Sequence, residues 1–203
     1  MATPARARRK TALAAAAPPA PGVGVVPALQ ADLADLAGPR LQGLPPVVVP
    51  HTRLLILGSF PGAASLQAQQ YYAHPRNQFW PLLSVLLGVD LRALPYPSRL
   101  QQLCDSGLGL WDVYASCRRL GSLDSAIEEP RRNDLAALRA LAPALQVVAH
   151  HGGESARAMP AVRALGYEAL RLPSTSPAHA GWSFERKLQA WRELFQRCAI
   201  VMA

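Results

Sequence analysis

Three short apolar runs, each closed by chain breakers, limit what this sequence can fold into. The first is Arg53-Leu-Leu-Ile-Leu57, closed by Gly58. The second is Leu145-Gln-Val-Val-Ala149, ending at His150-His151-Gly152-Gly153, and the third runs from Glu168 to Leu172 and ends at Pro173-Ser174. Each is too short for a typical helix, and the first has no polar alternate, the pattern of a strand covered on both faces. Such strands need helices above and below, and the intervening segments supply them. Gln78 to Leu87 places Phe79, Leu82, Leu83, Leu86 and Leu87 on one face, and Asp134 to Leu141 follows Asn133 as a cap. A further helix is expected over Glu154 to Leu165. Near the C-terminus, Phe184, Leu188, Trp191, Leu194, Phe195 and Cys198 recur at helical spacing. The expectation is an α/β fold with a mostly parallel central sheet covered on both faces, with no internal repeat.

The chain has 203 residues, which suits one domain with a sizeable core. Residues 1–45 stand apart, with Arg6, Arg8, Arg9 and Lys10 lacking nearby acids and followed by an Ala/Pro-rich stretch without aromatics. Such a segment cannot bury enough apolar surface to offset its ordering entropy. An Ala/Pro/Arg-rich, largely disordered tail is therefore expected there, with a short helix from Leu29 to Leu36, and a single domain over 46–203. The formal net charge is +8, of which the five basic and two acidic residues of the tail account for +3, leaving the body +5. Nearly all of it is arginine, the lysines being Lys10 and Lys187. Guanidinium forks favour phosphate or carboxylate, which points to an anionic partner, although abundant Ala, Arg, Pro and Gly also fit a GC-rich genome.

No stretch approaches the roughly 18 apolar residues of a membrane span, so an integral membrane protein is excluded. Cys104, Cys117 and Cys198 are odd in number and widely spaced. Neither a disulfide framework nor a zinc site is expected, and a reducing compartment fits. Pro18, Pro19, Pro21 and Pro27 break the apolar stretch after the basic start, which makes a poor export signal. The expected location is the cytoplasm, at the bacterial nucleoid.

Ligands of open parallel sheets bind beyond the carboxyl ends of the strands. All three apolar runs end in polar or Gly-rich loops there: GSFPG, HHGG and LPSTSPAHAG. In Gly58-Ser59-Phe60-Pro61-Gly62, two glycines and a proline fix a sharp turn that can aim backbone N–H groups and the Phe60 ring at a ligand, or merely join strand to helix. It is neither a Walker loop, nor a dinucleotide fingerprint, nor a nucleophile elbow. His150 and His151 are neighbours on a strand and face opposite ways, so a shared metal is not expected.

The strings LGSFPGAASLQAQQYYAHPRNQFW, GLWDVYASCRRLGSLDSAI and LPSTSPAHA resemble the uracil-DNA glycosylase superfamily, specifically its hypoxanthine-DNA glycosylase branch, from about Arg53 to Phe195. The resemblance implies a three-layer α/β/α fold with a mostly parallel sheet. It also implies monofunctional hydrolysis, without cofactor or metal, of the bond joining a deaminated base to deoxyribose. Hypoxanthine is the expected base, with uracil or xanthine as rivals, and the partner is DNA containing it, bound by a monomer. Such an enzyme must flip the nucleotide into a pocket, stack its base and read its edge.

On the same ground Asn77 and Ser59 are catalytic candidates. Gly58, Phe60, Tyr72 and His151 would bind the base, while His74, Arg76, Ser174, Thr175, Ser176 and His179 would hold the DNA backbone. Other readings stay open: Asn77 as a helix N-cap, Arg76 as surface charge, His179 as a lead-in to a helix. Asp112 could orient a water, hydrogen-bond the backbone or pair with Arg118 or Arg119. Trp80, Trp111 and Trp191 are expected in the core. His151 stands where the family carries an asparagine, and imidazole places its donor and acceptor on opposite sides of a ring that gains charge near neutral pH. That departure supports the alternative of a damaged-DNA-binding protein on the same fold with weak or no glycosylase activity. A weaker alternative is a small-molecule hydrolase or nucleotide-binding protein. A lyase step needs an amine, and neither lysine falls in a recognised motif.

Overall fold

A computed structural model describes Met1 and residues 39–202. The expected helix from Leu29 to Leu36 lies outside the described residues. Four parallel strands form the central sheet in the order β3-β2-β6-β7: β2 (Leu54–Gly58), β3 (Leu108–Asp112), β6 (Val147–His151) and β7 (Glu168–Leu172). Alternation along β2 divides the core. Leu54 and Ile56 enter one cluster with Phe79, Leu82, Leu103, Trp191 and Phe195, while Leu55 and Leu57 enter another with Trp111, Leu138, Val148 and Val162. Helices α2 (Phe79–Leu87), α3 (Tyr96–Asp105) and α7 (Phe184–Arg197) supply the first layer. Helices α4 (Leu138–Leu141) and α6 (Met159–Ala164) supply the other. This is the expected α/β fold, and the three tryptophans expected in the core are buried there.

Three local expectations are corrected. Asn133 does not cap the segment after it. Asp134 accepts from Ala136 N–H, and the turn Leu135–Ala137 is 3₁₀ before it widens into α4, while Asn133 Nδ2 donates to Asp112 O. The helix expected over Glu154 to Leu165 is two, α5 (Gly153–Ala156) and α6, because Pro160 has no N–H to donate and is tolerated only in a first turn. The second strand starts two residues later than the apolar run, its ladder opening at Leu54 opposite Val147, so both histidines lie on the strand.

The sequence reading also missed an antiparallel sheet of β1 (Arg40–Gln42), β4 (Tyr114–Arg118) and β5 (Glu128–Arg132), ordered β1-β4-β5. Arg40–Gln42 pairs with β4, so the folded body begins before residue 46. The first helix, α1 (Ala63–Ala68), follows the turn after β2.

The strand β3 was missed because glycines interrupt its apolar pattern. Gly109 is required there for proximity. Val47 bridges Leu110 antiparallel through two hydrogen bonds of 2.8 Å and shields the outer side of β3. A Cβ on Gly109 would lie 2.9 Å from Thr52 Cγ2 and 3.1 Å from Val47 O. Gly109→Ala should therefore destabilise the fold by about 1–3 kcal/mol in urea titration. Gly181→Ala, with nothing within 4 Å of the new methyl group, should leave the midpoint in place.

Candidate active site

The carboxyl ends of β2, β3, β6 and β7 open into one cleft of about 680 Å³. Gly58, Ser59, Phe60, Tyr72, His74, Arg76, Asn77, His151, Ser174, Ser176 and His179 all line it, and Thr175 lies fully buried behind it. The sequence thus identified the residues that meet, although their hydrogen bonds differ from what the residue types alone suggested.

Asn77 is the clearest case. Its Oδ1 accepts from Phe79 N–H at 2.9 Å and from the Thr175 hydroxyl at 2.8 Å. The backbone N–H can only donate, so the amide cannot be turned over, and the carbonyl has used both lone pairs. The N-cap of α2 is Gln78 rather than Asn77, whose Oδ1 instead holds the Phe79 N–H from one residue earlier, and the Nδ2 amine is the group left for a ligand. A water cannot be held by that carbonyl as well.

His151 is fixed by the same logic. Thr175 N–H donates to Nε2 at 2.9 Å, which places the ring proton on Nδ1, 3.0 Å from Tyr72 Oη. The tyrosine oxygen accepts that proton and keeps its own to donate. Burial, with Lys187 and His179 nearby, pushes His151 down to about 3, so it does not charge near neutral pH. Both nitrogens are engaged within the protein, so the edge of a ligand falls to Tyr72 rather than to the imidazole. Tyr72 is held in left-handed backbone at φ 56° and stacks on Phe79 at 3.7 Å. Burial raises its phenol, which stays protonated. His150 points the other way, onto Ser155 O at 2.7 Å.

Ser59 donates to Asp124 Oδ1 at 2.7 Å, so its hydroxyl is no independent nucleophile. Phe60 is 6% exposed, with the Arg119 guanidinium 5.0 Å over its ring, leaving at most the opposite face to a planar ligand. Arg119 also donates to Pro61 O, bracing the turn from behind. In the third loop, Ser174 Oγ accepts from Ser176 N–H and Ser176 Oγ from Ala178 N–H, which frees both hydroxyl protons to donate outward. His74 Nδ1 accepts from Arg76 N–H, and the Arg76 side chain is exposed at the rim.

Two residues were undervalued. Asp112 lines the floor of the cleft, and burial with the Asp124 charge pushes its carboxyl up to about 7 against the pull of Arg119. Lys187, 2% exposed, donates to Gln78 Oε1 at 2.8 Å and His179 O at 3.0 Å, tying the third loop to the entry of α2. Its place on an amphipathic helix gave no sign of this, since a lysine there ordinarily faces solvent.

Fold and cleft together define a class: a parallel α/β protein whose strand-end site presents an aromatic face, donors fixed from behind and a rim of hydroxyls. The uracil DNA glycosylase superfamily model matches residues 45–195, and the chain belongs to that superfamily. A relative from Methanosarcina barkeri described as a hypoxanthine DNA glycosylase is 40% identical over 158 residues, covering 78% of this chain and 99% of that protein. Another of that description, from Methanosarcina acetivorans, is 36% identical over 155 residues, covering 76% and 98%. A solution NMR structure of a candidate uracil DNA glycosylase from Methanosarcina acetivorans superposes with a TM-score of 0.72 at 35% identity, over 79% of this chain and 99% of that one.

The His151 geometry has a spectroscopic consequence. In ¹⁵N-edited spectra the ring should remain the neutral Nδ1–H tautomer from pH 8 down to pH 4. Because the unfolded histidine protonates near its ordinary 6.5 while the folded one does not until about 3, its contribution to stability should be lost as pH falls between those values. Tyr72→Phe, which strands a buried N–H, should cost about 1–3 kcal/mol.

Proposed function

We propose that this protein is a monofunctional DNA glycosylase that flips a deaminated base from the duplex and hydrolyses its N-glycosidic bond, with hypoxanthine as the preferred base and uracil or xanthine as weaker substrates. The observation that carries the reading is the donor character of the cleft. Tyr72 Oη–H and Asn77 Nδ2 are both donors, the first fixed by Thr175 N–H through His151 and the second by Phe79 N–H on the Asn77 carbonyl. Deamination converts an exocyclic amine, a donor, into a carbonyl, an acceptor. Donors that cannot turn over favour hypoxanthine O6 over the adenine amine, because two donors facing each other leave both unpaired in a desolvated pocket.

Phe60 offers its free face for stacking, and the backbone N–H groups of the GSFPG turn stabilise charge developing on the departing base. Ser174, Ser176, Arg76 and His179 receive phosphates, which position the duplex without reading sequence. Lys187 is held beneath the third loop, so no lysine among the described residues is placed to open the sugar. The protein acts as a monomer within the cytoplasm. The match to relatives described as hypoxanthine DNA glycosylases supports the same substrate.

Duplexes carrying inosine, uracil or xanthine, incubated with the protein and then treated with alkali, should break at inosine fastest. Lesion-dependent binding without breaks at any of the three would instead favour a damage-binding protein. Asn77→Asp keeps an oxygen for Phe79 and Thr175 but replaces the amine with an acceptor. It should lower the single-turnover rate on inosine by about 10²–10³-fold, the loss typical of one preorganised donor.

A further inference from the structure

Asp112 ends β3 on the floor of the cleft, 5% exposed, and its Oδ2 has no hydrogen-bond partner among the described residues. The partners that the sequence offered do not meet it. Arg118 pairs with Glu129, and Arg119 donates to Pro61 O while its Nε and Nη1 stay unpartnered. A buried carboxyl without donors is costly, and such groups in native folds call for an explanation. The opposite strand makes room for this one. Gly58 pairs with Asp112 across the ladder, and a Cβ there would lie 2.3 Å from Oδ1. The glycine that opens the first loop is therefore also the clearance for this side chain.

Hydrolysis of a glycosidic bond needs an acceptor for the proton of the attacking water, and the cleft has few left. The Asn77 carbonyl is occupied by Phe79 and Thr175, His151 Nε2 by Thr175, and one oxygen of Asp124 by Ser59 on an exposed turn. We propose that Asp112 is the catalytic residue that accepts the proton from the attacking water. The water oxygen bonds to the anomeric carbon as the carbon–nitrogen bond breaks, its electron pair leaving on the base. One water proton passes to the Asp112 carboxylate and the other stays as the new sugar hydroxyl. The base anion takes a proton from solvent, and Asp112 returns its own. Asn77 then acts on the base or phosphate as a donor, and the two residues divide the work between attack and departure.

The charged and titratable groups facing Asp112 are Asp124 from the 3₁₀ turn Asp124–Ala126, Arg119 after β4, and Tyr71 and Tyr72 from the loop before α2. Burial and Asp124 raise the carboxyl to about 7, Arg119 opposes them, and both phenols stay neutral. A base of that strength suits proton transfer near neutrality. The assignment rests on the hydrolytic reading above, and the experiment separates the two. Under single turnover on inosine duplex, the wild-type rate should rise about tenfold per pH unit below about 7 and level off above it.

Asp112→Asn should lower the rate by about 10²–10⁴-fold and abolish that inflection. It should bind a duplex with 2′-fluorinated deoxyinosine, which resists cleavage, within about threefold of wild type. Asp124→Asn should move the inflection to lower pH, a shift that a purely structural Asp112 would not produce. An Asp112→Asn protein within threefold of wild type, or one that keeps the inflection, overturns the assignment. If that variant does not fold, a wild-type profile without an inflection between pH 5 and 8 overturns it alone. Wild-type protein that releases no base from any duplex removes the hydrolytic reading and this assignment with it.

Discussion

Thr175 is fully buried, and two of its hydrogen bonds determine what the cleft can offer. Its N–H fixes the tautomer of His151 and, through it, the direction in which Tyr72 donates. Its hydroxyl donates to the Asn77 carbonyl, whose orientation Phe79 N–H sets. A third bond, from Gln78 N–H to Thr175 O, joins the loop to the start of α2. Each partner would be ambiguous by itself, since an amide can turn over, an imidazole has two tautomers and a hydroxyl rotates. Donors that cannot accept sit at the head of both chains, and the ambiguity is removed by the backbone rather than by the ligand. The cleft is in that sense preorganised, with its polarity set before anything enters.

Two buried cations support this arrangement from behind. Arg119 braces the GSFPG turn and covers one face of Phe60, and Lys187 ties the third loop to α2. Among the described residues neither has a carboxylate within hydrogen-bond reach, and burial lowers the pKa of both. Their charge lies beneath the loops that a polyanion would contact, so it attracts phosphate without presenting a flexible side chain to it. The loops thereby gain rigidity and a positive background from the same residues.

The parts of the molecule legible in the sequence are those in which one physical signal dominates. The first and third apolar runs became strands at nearly their expected limits, and the C-terminal helix followed its 3.6-residue period from Phe184. The loops at the strand ends converge as the topology of parallel sheets requires. What stayed hidden depends on contacts distant in sequence. The pattern of β3 is interrupted by Gly109, which is there for the approach of Val47, 62 residues earlier in the chain. Thr175 reads as one more hydroxyl in a Ser/Thr/Pro loop, and its partners lie 24 and 98 positions away. Asp112 offered ordinary structural partners nearby, and only the fold shows that none of the described residues hydrogen-bonds its Oδ2.

Arg40–Gln42 pairs with β4, and the chain then turns at Gly43, whose N–H donates to Ala115 O at 2.7 Å. A Cβ on Gly43 would lie 3.4 Å from the edge of the Phe60 ring, so this short stretch forms the back wall of the aromatic platform. By composition it belongs to the Ala/Pro-rich leader, yet it does the work of the core. A chain trimmed before residue 39 keeps that wall, while one trimmed at residue 45 exposes the rear of Phe60 to water. The start of the folded body thus falls inside a segment of uniform appearance, and composition is a poor guide to where the wall of the site begins.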